Sequence, residues 1–120
     1  MKTFLAVSIG GFFGAISRYG LNLIWPSTNG FPYTTLCINI VGCFCLAWLF
    51  TTFIKRTPIV VGLGTGFCGA FTTFSTFSLE TLLLLENNEW LQAVLYVAVS
   101  VLGGLTGAWL GIRLARGRMV

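Results

Sequence analysis

The chain has 120 residues, of which 56% are hydrophobic and only 8% are charged. Because a soluble domain carries about 25% charged residues, this composition excludes an ordinary cytosolic fold, a disordered tail and a disulfide-stapled secreted module. One bilayer-spanning helix needs ~20 apolar residues, so the length is sufficient for at most about four spans and leaves no room for a separate soluble domain.

The net charge is +4, from seven Lys or Arg and three acidic residues, with no His and no Asp. Ser-His-Asp triads and His-ligated metal sites are therefore excluded within one chain. The basic residues do not form the clustered, solvated face that nucleic acid requires, so a lipid bilayer is the expected surroundings and nucleic acid is not an expected partner. The four cysteines show no disulfide framework and are interpreted as small packing residues.

The first predicted helix spans Phe4–Ile24, and its apolar run is too long for the core of a signal peptide. A dense turn signal over Trp25–Pro32 separates it from a second helix at Tyr33–Ile54. A short basic segment ending in Pro58 follows, and proline is well suited to the first turn of the next helix. These signals predict the first two membrane spans and the start of the third.

The third predicted helix covers Ile59–Leu85, and a loop at Glu86–Glu89 leads into a fourth at Trp90–Ile112. The remaining residues, 113–120, form a basic tail. Four spans with short loops predict one all-α transmembrane domain, residues 1–120, in which consecutive helices are antiparallel neighbours.

The third helix is predicted to be interrupted near its middle. As one helix it would be ~40 Å long, against ~30 Å of hydrocarbon. Five of the seven residues in Thr72–Ser78 carry hydroxyls, which compete for backbone hydrogen bonds. A break is therefore expected near Thr72–Ser75, where freed carbonyls can hold a cation and freed amides can attract an anion.

Two phenylalanines follow the predicted break. Phe74 and Phe77 are three residues apart, so they lie on neighbouring helix surfaces. An aromatic ring has a positive edge, and edges turned inward could contact an anion in a dry passage. The alternative is that both rings are ordinary core or lipid-facing side chains.

Four polar residues are predicted at one depth, ~7–9 Å from the same end of the bundle: Arg18, Asn39, Glu80 and Tyr96. Polar residues inside a membrane are costly and are functional candidates by default. We expect a polar layer in which Arg18 and Glu80 form an ion pair. The alternative is that Arg18 extends to the membrane interface.

The positive charges fall on one side of the predicted bundle, at Lys2, Lys55, Arg56, Arg113, Arg116 and Arg118. The positive-inside rule places this side in the cytoplasm. Glycines recur at four-residue spacing in three predicted helices, which lets membrane helices approach closely. That spacing fits close packing within one chain and a subunit interface equally well.

Three segments together resemble the Fluc/CrcB fluoride channels: Gly10–Tyr19, Asn39–Gly42 and Gly66–Glu80. The resemblance covers nearly the whole chain, and the third segment is the most specific. It implies a passive fluoride exporter of the bacterial plasma (inner) membrane, built as an antiparallel, dual-topology homodimer with two pores.

The resemblance also implies roles for individual residues. The residues that resemble the fluoride pore are Asn39, Phe74, Thr76, Phe77, Tyr96 and Ser100. Gly69 and Thr72 resemble the carbonyl donors of a structural Na⁺ at the dimer centre, and Arg18 and Glu80 resemble structural or vestibule residues.

The chain departs from the family pattern in two respects. Gly104 and Ala108 stand where some members have Ser and Thr, so Ser100 and Thr106 are the hydroxyls that the fourth helix offers. The one-sided positive charge also favours a single orientation, which leaves a heterodimer with an oppositely biased paralogue as the alternative to a homodimer.

Two other functions were weighed. A small four-helix multidrug/proton antiporter would need a carboxylate deep in the first helix, where this chain has Arg18. A non-transporting assembly subunit would not account for the hydroxyl and phenylalanine residues at mid-membrane. No nucleophile with a base and no phosphate loop is present, so an enzyme is not predicted.

Overall fold

The computed structural model describes residues 1–27 and 30–117. In this part of the chain all regular elements are helices, and four helices are long and apolar enough to cross a membrane. This confirms the all-α membrane architecture. The spans are α1 (Lys2–Ile24), α2 (Tyr33–Thr52), a third span over Pro58–Glu86, and α6 (Trp90–Gly117).

Helix α6 continues past the predicted end at Ile112 to Gly117. Arg113 and Arg116 are therefore part of the helix, where cations near the C-terminus interact favourably with the helix dipole. The guanidinium of Arg113 lies 5.1 Å from the centre of the Trp109 ring, which helps to order this turn. The prediction of a separate basic tail from residue 113 was wrong, and its last basic residue, Arg118, lies outside the described residues.

The third span consists of four helical pieces: α3 (Pro58–Val61), a π-helix (Gly62–Cys68), α4 (Gly69–Phe71) and α5 (Phe74–Glu86). The side chain of Thr57 caps the start by accepting a hydrogen bond from the Val60 amide at 3.4 Å. Between α4 and α5, Thr72 and Thr73 have extended backbone angles. The predicted interruption is thus confirmed, whereas the π-helix was not predicted.

The break divides the packing of the third span between two neighbours. Helix α1 packs against the first half of the span, whereas α5 packs against α6. Helices α2 and α6 form the largest helix pair. The buried core between α2, α5 and α6 consists of Leu36, Leu84, Ala93 and Tyr96. This core lies directly behind the second half of the third span and supports it.

Two of the glycines that recur at four-residue spacing lie where helices of the chain pack closely together. Gly14 is buried, and a Cβ added there would collide with the main chain of Phe67 in the π-helix. A Cβ added to Gly107 would lie 3.0 Å from the carbonyl oxygen of Ile40 on α2. At these positions the small residues therefore allow close packing within one chain.

Candidate functional site: the break in the third span

The break is held by the side chain of Asn39 on α2. Its Nδ2 donates to the carbonyl oxygen of Thr73 at 3.0 Å, and its Oδ1 accepts from the amide of Thr73 at 2.8 Å. One side chain therefore satisfies both backbone groups of a residue that has left the helix. The NH₂ group of Asn39 has a second N–H, which these two bonds do not use.

Thr73 also caps the second half of the span. Its Oγ1 accepts a hydrogen bond from the amide of Thr76 at 3.1 Å, which is the N-cap interaction for α5. The same oxygen donates to Oγ1 of Thr76 at 3.0 Å and lies 3.2 Å from Oγ of Ser75. Because Thr76 Oγ1 accepts in this arrangement, the proton of its own hydroxyl is left for another partner.

These bonds redirect the amides that would otherwise close the helix. In an unbroken helix the amides of Thr73 and Thr76 would bond the carbonyls of Gly69 and Thr72. Here they bond Asn39 Oδ1 and Thr73 Oγ1 instead. The carbonyls of Gly69 and Thr72 thereby lose their usual helix partners, and a Cβ built on Gly69 meets no atom within 4 Å. Main-chain carbonyl oxygens at an interrupted membrane helix are ligands that suit a hard cation such as Na⁺.

A cavity of about 330 Å³ opens beside the break. It is lined by Asn39, Gly42, Cys43, Leu46, Thr72, Thr73, Phe74, Phe77, Ser100 and Val101. Four residues that were predicted to form the pore therefore line the same space: Asn39, Phe74, Phe77 and Ser100. None of the ten lining residues carries a charged side chain.

The two phenylalanine rings differ in their surroundings. Their centres are 5.8 Å apart with an angle of 40° between the ring planes. Phe77 packs against the core, with its ring centre 5.1 Å from that of Tyr96. Phe74 is 80% exposed within the single chain. The structure thus places one anchored ring and one largely uncovered ring at the cavity.

Ser100 contributes a hydroxyl to the cavity wall from α6. Its Oγ is buried and has no hydrogen-bond partner among the described residues. The other hydroxyl predicted on this helix, Thr106, donates to the carbonyls of Leu102 and Gly103 in its own helix. Gly104 faces Cys43, whose sulfur would lie 3.4 Å from an added Cβ. Ser100 is therefore the α6 hydroxyl that the structure brings to this site.

Tyr96 lies one layer behind the cavity, so it is not part of its lining. The side chain is completely buried, and its hydroxyl donates to Oε2 of Glu80 at 2.7 Å. The other oxygen of Glu80 accepts from Oγ1 of Thr35 at 2.8 Å. Three helices are thereby joined through one carboxylate, which has a donor on each oxygen.

The predicted ion pair between Arg18 and Glu80 is absent from the described residues, and Glu80 has the two hydroxyl partners instead. The reason is the break, which directs α5 away from α1 and towards α6. Arg18 is half-buried on α1, and its carbonyl accepts from Asn22 at 2.9 Å. Equal depth from one end of the bundle was therefore not sufficient to predict this pair.

Two site residues were not singled out by the sequence analysis. Thr35 is 1% exposed and Thr73 is 8% exposed, and both direct their hydroxyls to functional candidates. Thr35 lies four residues before Asn39, so it shares a helix face with it. That spacing was the available signal for Thr35, whereas the cap at Thr73 depends on where the helix restarts.

Comparisons with known proteins identify the family of the chain. Residues 5–112 match the family model described as CrcB-like protein, Camphor Resistance (CrcB). A protein of Bacillus cereus named fluoride-specific ion channel FluC 1 is 50% identical over 118 residues, which cover 92% of this chain and 81% of that protein. The fluoride-specific ion channel FluC of Oceanobacillus iheyensis is 47% identical over 119 residues, covering 96% of this chain and 92% of that protein. The chain therefore belongs to the CrcB family.

Proposed function

We propose that this chain is the subunit of a fluoride-selective channel that gives fluoride a passive route out of the cytoplasm. The observation that carries the proposal is the uncharged cavity at the break, where Asn39, Ser100 and the two phenylalanines meet. The names of the similar proteins support the same function. They give no support to a multidrug/proton antiporter, and α1 has no carboxylate for that mechanism.

The chemistry of the cavity suits a small, strongly hydrated anion. Such an ion needs hydrogen-bond donors to replace its water, and the unused amide N–H of Asn39 and the hydroxyl of Ser100 are two. Thr76 has a third available proton but is not among the residues that line this cavity. The phenylalanine ring edges add a weak positive potential. Because these groups are uncharged, they bind the ion without trapping it, as conduction requires.

The complete channel is proposed to be an antiparallel homodimer with two pores. The exposed ring of Phe74 and the open space at Gly69 are features that a second copy would cover. Na⁺ at the dimer centre would be held by the carbonyls of Gly69 and Thr72 and would supply a fixed positive charge there. A heterodimer with an oppositely oriented paralogue is the alternative that the one-sided basic residues favour.

The location is proposed to be the plasma membrane of a bacterium. Four spans make the chain a multi-pass membrane protein, and the similar proteins come from bacteria. Fluoride would enter the cytoplasm as the neutral acid and leave through the channel as the anion.

The test is ion efflux from liposomes that contain the purified protein. Vesicles loaded with fluoride or chloride are diluted into ion-free buffer, a potassium ionophore balances charge, and an electrode records release. We expect rapid fluoride efflux without a proton gradient, and retention of chloride. Fluoride release equal to that of protein-free vesicles, or release only with a proton gradient, would refute the proposal.

A matched pair of variants tests the cavity itself. Ser100→Ala removes the unpartnered hydroxyl and should slow fluoride efflux by at least about tenfold, because an ionic hydrogen bond contributes ~1.5–3 kcal/mol and about 1.4 kcal/mol is a factor of ten. Thr106→Val removes a hydroxyl that is already bonded within its own helix, and it should leave the efflux rate within about twofold of the original. Equal rates in the two variants would argue against a pathway through this cavity.

The orientation of the subunits has its own test. A protease site is fused to the C-terminus, and intact cells and inverted membrane vesicles are treated with protease. Cleavage of about half of the tags in each preparation is expected for an antiparallel homodimer. Cleavage of all tags from one side would favour the heterodimer.

A further inference from the structure

The start of α5 lacks the packing that usually fixes a side chain at a membrane pore. Phe74 is the first residue of α5 and is 80% exposed in the single chain. Its aromatic neighbour within the chain is Phe77, at 5.8 Å between ring centres, and most of its ring surface is left uncovered. The position of the Phe74 ring therefore depends on the direction of α5, and that direction is set at the residue that precedes Phe74.

Thr73 is that residue, and it is bonded on both sides of the break. Its main chain is held on α2 by two hydrogen bonds with Asn39, one donated by the Asn39 side chain and one accepted by it. Its hydroxyl is held on α5 by the amide of Thr76, one turn into the helix. The side chain is only 8% exposed, so water does not replace these bonds readily.

We propose that Thr73 is a positioning residue of the ion pathway, whose hydroxyl fixes the start of α5 and thereby the placement of Phe74 at the cavity. This inference rests on the proposed function and adds to it a residue that lines the cavity but whose hydroxyl is bonded within the chain, to Thr76. Without the hydroxyl, the amide of Thr76 loses its partner and the first turn of α5 loosens. The ring of Phe74 then occupies a wider range of positions, whereas Phe77 is still packed against Tyr96.

The experiment compares efflux from liposomes that contain substituted channels. Thr73→Val keeps the shape of the side chain and removes the hydroxyl, and it should slow fluoride efflux roughly fivefold, the factor expected when an N-cap is lost. Thr73→Ser and Thr73→Asn keep a capping oxygen and should restore most of the flux. The control is Thr81→Val on the same helix, whose hydroxyl bonds only the carbonyl of Phe77 and should change the flux by less than about twofold.

A second measurement separates positioning from a general loss of structure. Thr73→Val is combined with Phe74→Ile, which already removes the ring that Thr73 is proposed to place. If Thr73 acts through that ring, the double variant should be no more than about twofold slower than Phe74→Ile alone. Losses that multiply would show an independent effect and would overturn the inference.

The outcomes remain distinguishable if individual variants fail. Absence of fluoride efflux from the unsubstituted protein would refute the proposed function, whereas normal efflux from Thr73→Val would refute only the role of Thr73. If Thr73→Val does not give a folded protein by size-exclusion chromatography, the inference is tested with Thr73→Ser and Thr73→Asn, which keep a capping oxygen. Folded Thr73→Ser and Thr73→Asn proteins that conduct as poorly as Phe74→Ile would overturn the inference.

Discussion

Substitution of Tyr96 by Phe tests the buried network that supports the pathway. Tyr96→Phe removes one oxygen atom from a side chain that is completely buried and keeps the ring that packs 5.1 Å from Phe77. Oε2 of Glu80 then loses the hydroxyl that donates to it at 2.7 Å, while Oε1 keeps its bond from Thr35. The change is therefore confined to one hydrogen bond between α5 and α6.

The loss of stability expected for Tyr96→Phe follows from the kind of hydrogen bond that the substitution removes. Hydrogen bonds between membrane helices contribute about 0.6 kcal/mol on average and up to about 1.7 kcal/mol. Bonds to a carboxylate are roughly twice as strong as bonds between neutral groups. Leaving a buried acceptor without its donor costs ~1–3 kcal/mol, and burial of a slightly more apolar ring offsets only part of that. We therefore expect a loss of about 1–2 kcal/mol in the free energy of unfolding.

The assay is unfolding by a denaturing detergent in mixed micelles, followed by far-ultraviolet circular dichroism. The matched control is Tyr19→Phe, because Tyr19 is 67% exposed on α1 and makes no side-chain hydrogen bond within the described residues. The control should change the unfolding free energy by less than about 0.5 kcal/mol. Equal stability of the two variants would refute the claim that the carboxylate network holds α5 against α6.

Three further outcomes are expected. Phe77→Ile should slow fluoride efflux while the protein elutes as before in size-exclusion chromatography; an unchanged rate would remove the role of the ring edge. Gly14→Ala should lower the unfolding free energy by about 1–3 kcal/mol, since the added methyl collides with the main chain of the π-helix. In contrast, Gly20→Ala, where an added Cβ meets nothing within 4 Å, should be neutral or stabilising in the same unfolding assay. Arg18→Gln should leave the melting temperature unchanged, because Glu80 is bonded to hydroxyls; a drop as large as that of Tyr96→Phe would indicate an ion pair with Arg18 after all.

Much of the fold could be predicted because the bilayer limits the possibilities. Spans are read from apolar length, and the charged or proline-rich segments between them mark the loops. The second and fourth spans begin at the predicted residues, Tyr33 and Trp90, and the first span ends at the predicted residue, Ile24. The π-helix over Gly62–Cys68 could not be predicted in this way, since its apolar pattern is the same as that of an α-helix.

The candidate site was predicted in part. Asn39, Phe74, Phe77 and Ser100 meet at one cavity. The first three were singled out from residue type and position, whereas Ser100 was added by the resemblance to a known family. Depth counting alone placed four polar residues in one layer and paired Arg18 with Glu80, and that pairing was wrong. Counting residues along a helix predicts the depth of a side chain in the membrane. It does not predict which face of the helix the side chain occupies after a break.

The break explains why the polar residues are arranged as they are. Two extended residues leave backbone groups unpaired inside the membrane, where each unsatisfied group costs several kcal/mol. Asn39 and the hydroxyl of Thr73 satisfy the amides of Thr73 and Thr76, so the carbonyls of Gly69 and Thr72 lose the helix partners that these amides would have been. The proposed cation site at these carbonyls and the proposed anion pathway on the next turn therefore both depend on one interruption. A continuous helix with the same composition would offer neither, because its backbone groups would bond one another.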